Sequence, residues 1–142
     1  MGTVLKILVV FILVWTAYDD FKTKTIHNEM PALLLAAGFL CIWFMPEVLI
    51  WQRVAGIFCV SVPLLIAACI VPGSIGGGDI KLMAAGGFLL GIFNIWKAFE
   101  TAVMVCAVFV LSGMIIGRLK RNSEIALGPF LCLGMLVEWL RI

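Results

Sequence analysis

The sequence predicts an all-α protein that crosses a membrane several times, and two observations carry that prediction. Of 142 residues, 64% are hydrophobic and only 13% charged, with a mean hydropathy of +1.21, far outside the usual range of a soluble domain. Polar residues and turn formers then cut the chain into about six apolar pieces, near the ~17–25 residues that cross a hydrocarbon core. A single transmembrane domain over residues 1–142 is expected, its core buried by neighbouring helices and lipid together.

The first piece, residues 3–18, reads as a retained span. No small-x-small cleavage site follows it, and Tyr18 stands where a small residue would be wanted. Lys6 occupies the position at which a myristoylation signal wants Ser or Thr. After the polar stretch DDFKTKTIHNE comes the second piece, 30–44, and after MPEVLIWQR the third, 54–71. A glycine-rich turn, PGSIGGGD, leads into the fourth, 80–95; a tight NIWK junction separates it from the fifth, 98–117. RLKRNSE precedes the sixth, 125–140. Gly128-Pro129 opens that last piece, and two readings stay open. A first-turn proline simply shapes a helix start, or it leaves backbone groups open beside a functional cavity.

The five cysteines all lie inside apolar runs without C-x-x-C spacing, so they read as small fillers rather than zinc ligands or disulfides. A net charge of +2 gives no case for a nucleic-acid partner. Basic residues favour the cytoplasmic side. Loops one, three and five between the pieces, with their margins, hold Lys22, Lys24, Lys81, Arg118, Lys120 and Arg121, against Lys6, Arg53, Lys97 and Arg141 opposite. That bias predicts outward termini, with Trp43, Trp51, Trp96 and Trp139 at the outer interface.

In this topology Asp19 and Asp20 end the first span and Asp79 begins the fourth, at similar depth on one side. An acid near the membrane is costly and tends to face inward and be functional. Asp79 as an N-cap and Asp19 or Asp20 as solvated loop residues are the plain alternatives. The sharper reading uses all the pieces together. Two carboxylates held close cannot both ionise cheaply, so one keeps its proton and the pair titrates as a unit. The ionised member then activates water while the protonated one donates to a peptide carbonyl and afterwards to the leaving nitrogen. Such chemistry calls for no metal and no cofactor. Gly76, Gly77 and Gly78 remove every Cβ beside Asp79, opening the loop to a substrate backbone laid along it as an extended strand.

Three ordered segments resemble the type IV prepilin peptidase family of G-x-G-D intramembrane aspartyl proteases. GGGDIKLMAAGG carries Gly76, Gly78 and Asp79 of that signature with Lys81-Leu82 after it. DFKTKTIHN resembles an aspartate followed six residues later by Ile-Pro-Asn, and IALGPFLCLG resembles the Gly-Pro-Phe-Leu opening of the last span. The resemblance implies Asp20 and Asp79 as the catalytic pair, with Gly76, Gly77, Gly78, Asn28, Lys81 and Pro129 around the substrate. It implies removal of the short basic leader of a pilin or pseudopilin precursor at the cytoplasmic face of the inner membrane, and it leaves room for a homo-oligomer. His27 departs from the pattern by replacing proline. Larger relatives also methylate the new N-terminus through a cysteine-rich cytoplasmic region; without its C-x-x-C pairs, cleavage alone is expected here. Tyr18-Asp19 and Pro31-Ala32-Leu33 resemble presenilin-like signatures, but in the wrong order. A preflagellin-type peptidase and a non-enzymatic subunit of a channel or secretion assembly are the alternatives. Asp19, Glu29 and Glu124 are candidates to receive a basic leader, whereas Lys81, about 200° around the helix from Asp79, is expected to reach the interface instead of pairing with it.

Overall fold

The computed structural model describes residues 2–44, 46–117 and 125–142. Six helices run through them: α1 (Gly2–Thr23), α2 (Glu29–Phe44), α3 (Ile50–Ile70), α4 (Gly77–Leu90), α5 (Ile92–Ile115) and α6 (Gly128–Arg141). No strand occurs among the described residues. By length and composition α3 and α5 can each cross a membrane. The outward faces are mainly apolar, with Val4, Ile7, Phe11, Trp43, Phe58, Met104 and Val108 all exposed. This is the surface of an all-α membrane protein, whose exterior meets lipid rather than water.

Helix α4 is the centre of the bundle. It packs against α2, α3, α5 and α6, while α1 lies against α2 and α6. Leu82, Met83, Ala85, Phe88, Leu89 and Leu90 are all buried, so α4 is covered nearly all round, as an apolar helix with no polar face must be. Small residues let the backbones meet. A Cβ on Gly87 would run into the Gly56 carbonyl, and one on Gly56 into the Gly87 carbonyl, so α3 and α4 touch main chain to main chain. Gly134 of α6 lies equally close to the Ala98 carbonyl of α5.

Arg53 ties three elements together at the end of the bundle where α2 and α4 finish. Only 1% exposed, its guanidinium donates to the carbonyls of Leu89 (2.9 Å), Phe88 (3.2 Å), Cys41 (3.3 Å) and Val48 (3.3 Å). These carbonyls lie in the last turns of α2 and α4 and in the turn before α3, where a cation is favoured by the helix dipoles.

Several boundaries differ from the sequence expectation. The break after α4 falls at Gly91 (φ 79°) and not at NIWK, which lies inside α5. Gly91 alone supplies the left-handed backbone that reverses the chain there. WQR likewise belongs to α3, and α1 continues past Tyr18 to Thr23, so Asp19 and Asp20 are helical. Residues 125–127 precede α6 as irregular chain. Trp139, unlike the exposed Trp43, Trp51 and Trp96, is not free to lie at an interface. It is 1% exposed, and its indole N–H donates to the Lys6 carbonyl at 3.2 Å. An amphipathic ring buried this way needs just such an acceptor. The five cysteines are free: Cys41 and Cys132 are buried, Cys59 and Cys106 partly so, and Cys69 exposed. Arg118, Lys120, Arg121 and Glu124 lie outside the described residues.

Candidate active site

Asp20 is carried inward by the buried stripe of α1. Leu5, Val9, Ile12, Leu13 and Thr16 recur on one helix face, and Asp20, four residues beyond Thr16, is its next step. Asp19, one position earlier, is rotated by about 100° and turns away. Its Oδ2 lies 2.8 Å from His27 Nδ1. The helix stops where Lys24 adopts the left-handed conformation (φ 53°), its N–H donating to the Asp20 carbonyl at 2.8 Å. The following residues then fold back toward the start of α4.

Asp79 is the third residue of α4, not its N-cap. Gly76 holds the N-cap position in extended conformation, and the Asp79 N–H donates to its carbonyl at 3.1 Å. The Asp79 carboxylate turns back to accept the Gly76 N–H, the acidic half of a capping box. Asp20 has an equivalent partner on another element, accepting the N–H of Gly128, the first residue of α6. Each carboxylate therefore sits at the positive end of a helix.

The two acids are almost wholly enclosed, 5% exposed for Asp20 and 8% for Asp79. They line the same two adjoining cavities, of about 320 and 220 Å³, with Lys24 and Gly76 in both walls. Burial pushes the Asp79 carboxyl up to about 6; the neighbouring Asp20 charge adds to this and the Gly76 N–H opposes it. Burial also raises Asp20, which the Gly128 N–H opposes and Asp19 reinforces. The physical content is a pair of acids that resist joint ionisation. Among the described residues no three His, Cys, Asp or Glu side chains gather as a metal group would require.

The three glycines differ in what surrounds them. A Cβ on Gly78 would lie 2.7 Å from Ile26 Cβ, whereas one on Gly77 would meet nothing within 4 Å. Gly77 and Gly78 already belong to the first turn of α4. Their N–H groups are those of a helix start, because the capping of α4 begins at Gly76. Asn28 and Lys81 meet each other, Lys81 Nζ donating to Asn28 Oδ1 at 2.8 Å, which pins the connection between α1 and α2 onto α4. Pro129 stands apart from the carboxylates, in the wall of a neighbouring apolar cavity of about 430 Å³ with Phe21, Phe109 and Phe130.

A model of the type IV leader peptidase family matches residues 7–118, a stretch that holds both acids and the glycine turn between α3 and α4. The chain belongs to that family. Among curated proteins, the prepilin leader peptidase/N-methyltransferase of Bacillus subtilis (strain 168) is 34% identical over 77 residues. That match covers 54% of this chain and 31% of the relative, so the chain corresponds to under a third of that protein's length. No solved structure matches the chain.

For a leader peptidase chain, the structure adds Lys24 and Ile26, which the sequence did not single out for the site, and Gly128, whose Gly-Pro pair the sequence left between two readings. Gly128 supplies the N–H on Asp20, Lys24 borders both cavities, and Ile26 fills the space beside Gly78. Gly128 had a legible signal, since a Gly-Pro pair ahead of an apolar run marks a helix start with free N–H groups. Ile26 had none beyond its place in IHN.

Proposed function

We propose that this chain is a membrane aspartyl endopeptidase that removes the short basic leader of type IV pilin-like precursors at the cytoplasmic face of the inner membrane. One observation carries the reading: two enclosed carboxylates from distant parts of the sequence border one cavity, each held by a backbone N–H at a helix start. Asp79, lifted to about 6, is the member that keeps a proton. Asp20, whose carboxylate the Gly128 N–H favours, is the ionised base.

In the reaction Asp20 takes a proton from a water in the cavity as the water oxygen bonds to the scissile carbonyl carbon. Asp79 donates to the carbonyl oxygen. In collapse of the tetrahedral species the C–N bond breaks and the nitrogen receives the proton gathered by Asp20, while the carbonyl oxygen returns its own to Asp79. Water is consumed, and the pair ends as it began with one proton. Gly77 and Gly78 offer first-turn N–H groups to the substrate backbone, with Gly76, Asn28 and Lys81 framing the approach and Pro129 the apolar side.

The test is cleavage of a pilin-like precursor by the full chain in membranes. Asp20→Asn and Asp79→Asn should each lower turnover by at least ~10²–10⁴-fold, the range spanned by loss of one general acid or base, with membrane insertion unchanged. Appreciable turnover by either variant would refute the pairing. If the unmodified chain leaves every such precursor intact, the non-enzymatic alternative gains the ground.

A further inference from the structure

The two glycines nearest the carboxylates share one neighbour. The space of a Cβ on Gly78, beside Asp79, is taken by Ile26, with Cβ at 2.7 Å, carbonyl oxygen at 3.3 Å and Cα at 3.4 Å. The space of a Cβ on Gly128, beside Asp20, is bounded by the Asp20 carboxylate and by Ile26 Cδ1 at 3.2 Å. One side chain thus touches the helix start that carries Asp79 and the helix start that binds Asp20. Ile26 is half-buried and packs against the apolar core. The two residues that follow it are fastened through their side chains: His27 to Asp19 at 2.8 Å, and Asn28 to Lys81 at 2.8 Å.

We infer that Ile26 is a positioning residue that sets the separation of the two carboxylates, acting as a spacer wedged between the first turns of α4 and α6. The inference rests on Asp20 and Asp79 being the reacting pair, and it explains features that this pair alone does not. Gly78 is small because a wider residue would run into the spacer, Gly128 because it would run into the Asp20 carboxylate and then the spacer, and the two fasteners that follow Ile26 hold it in place. A spacer also has to be rigid. A β-branched side chain with few accessible rotamers holds a fixed width better than a flexible one of equal volume.

The experiment compares Ile26→Val, Ile26→Ala and Ile26→Leu with the unmodified chain, in membranes, using a pilin-like precursor. Ile26→Val keeps the Cβ against Gly78 and deletes the Cδ1 that faces Gly128, a change small enough to leave the bundle folded. It should lower kcat about tenfold and Ile26→Ala about a hundredfold, the loss typical of a misplacement near 1 Å. KM should stay within about twofold. Ile26→Leu, which restores reach but not stiffness, should fall between Ile26→Ala and the unmodified chain. Deleting the side chain admits water beside Asp79 and relieves the burial that raises it, so the Asp79 carboxyl should titrate closer to ordinary carboxylates. Infrared titration of isotope-labelled aspartate reads that change without activity. None of the charged groups around the loop (Asp19, Lys24, His27 and Lys81) is altered by these variants. If Ile26→Val and Ile26→Ala turn over at the normal rate, or lose activity through KM alone, or titrate as before, the spacer is refuted even where Asp20→Asn and Asp79→Asn are inactive. If those two aspartate variants remain active, the site reading fails first and the spacer with it.

Discussion

At the residue scale the decisive fact is that Asp79 is enclosed and raised to about 6. A carboxyl raised on folding is charged less readily in the folded state, so its effect on stability is absent below about pH 4. The destabilisation grows as pH rises from there to about 6 and then levels off. At neutral pH it amounts to on the order of 3 kcal/mol. Asp79→Asn keeps an acceptor for the Gly76 N–H and removes the ionisation. It should therefore raise the unfolding midpoint in detergent at pH 7 and have little effect at pH 4; an equal effect at both would show that burial of charge is not the cause. Cleavage should run the same way, declining as pH rises through about 6 while Asp79 loses its proton, as a pH profile of kcat/KM would record. Gly128→Ala puts a methyl into the Asp20 carboxylate. It should reduce cleavage by ~10²-fold, with helix content by circular dichroism unchanged. The choice of Asp20 over Asp19 came from resemblance in the sequence. In the structure it has a physical cause, since only Asp20 continues the buried stripe of α1.

At the element scale, one close helix crossing and one arginine hold α4 in place. Gly56→Ala or Gly87→Ala forces a methyl against backbone carbonyl that has no rotamer to yield, so α3 and α4 must part. A loss of about 1–3 kcal/mol is expected, read from thermal unfolding in detergent. Arg53 satisfies four carbonyls through a planar fork, a geometry that lysine does not reproduce. Arg53→Lys should therefore destabilise by on the order of 3 kcal/mol despite keeping the charge. The sequence reading placed Arg53 among the topology-setting cations because a lone arginine at a span end looks like any interfacial one. Its acceptors include Cys41, twelve residues before it, and Leu89, thirty-six after it, and no local pattern names them.

At the scale of the whole molecule, the segments 24–28, 71–76 and 125–127 all contribute to the walls of the carboxylate cavities, so α1, α4 and α6 present the site on one side of the bundle. The proposed function puts that side in the cytoplasm. In a chain whose native cysteines are replaced, Thr25→Cys and Ser74→Cys should react only with reagents that reach the cytoplasm, and Glu47→Cys with impermeant reagents from outside. The reverse pattern would invert the proposed orientation.

The sequence by itself determined that the chain is all-helical, that it belongs in a membrane, and that its acids and glycine turn fall at helix ends. Composition, span length and turn chemistry are local properties, and each was legible residue by residue. Only the tertiary structure decided which faces are interior: that Trp139 and Arg53 are buried, that Gly128 holds Asp20, and that Ile26 lies between two glycines about fifty and about a hundred residues after it. The reason is the solvent. A helix in water advertises its buried face by being apolar there and polar elsewhere, but in lipid both faces are apolar, so hydrophobicity marks the span without telling which side turns inward.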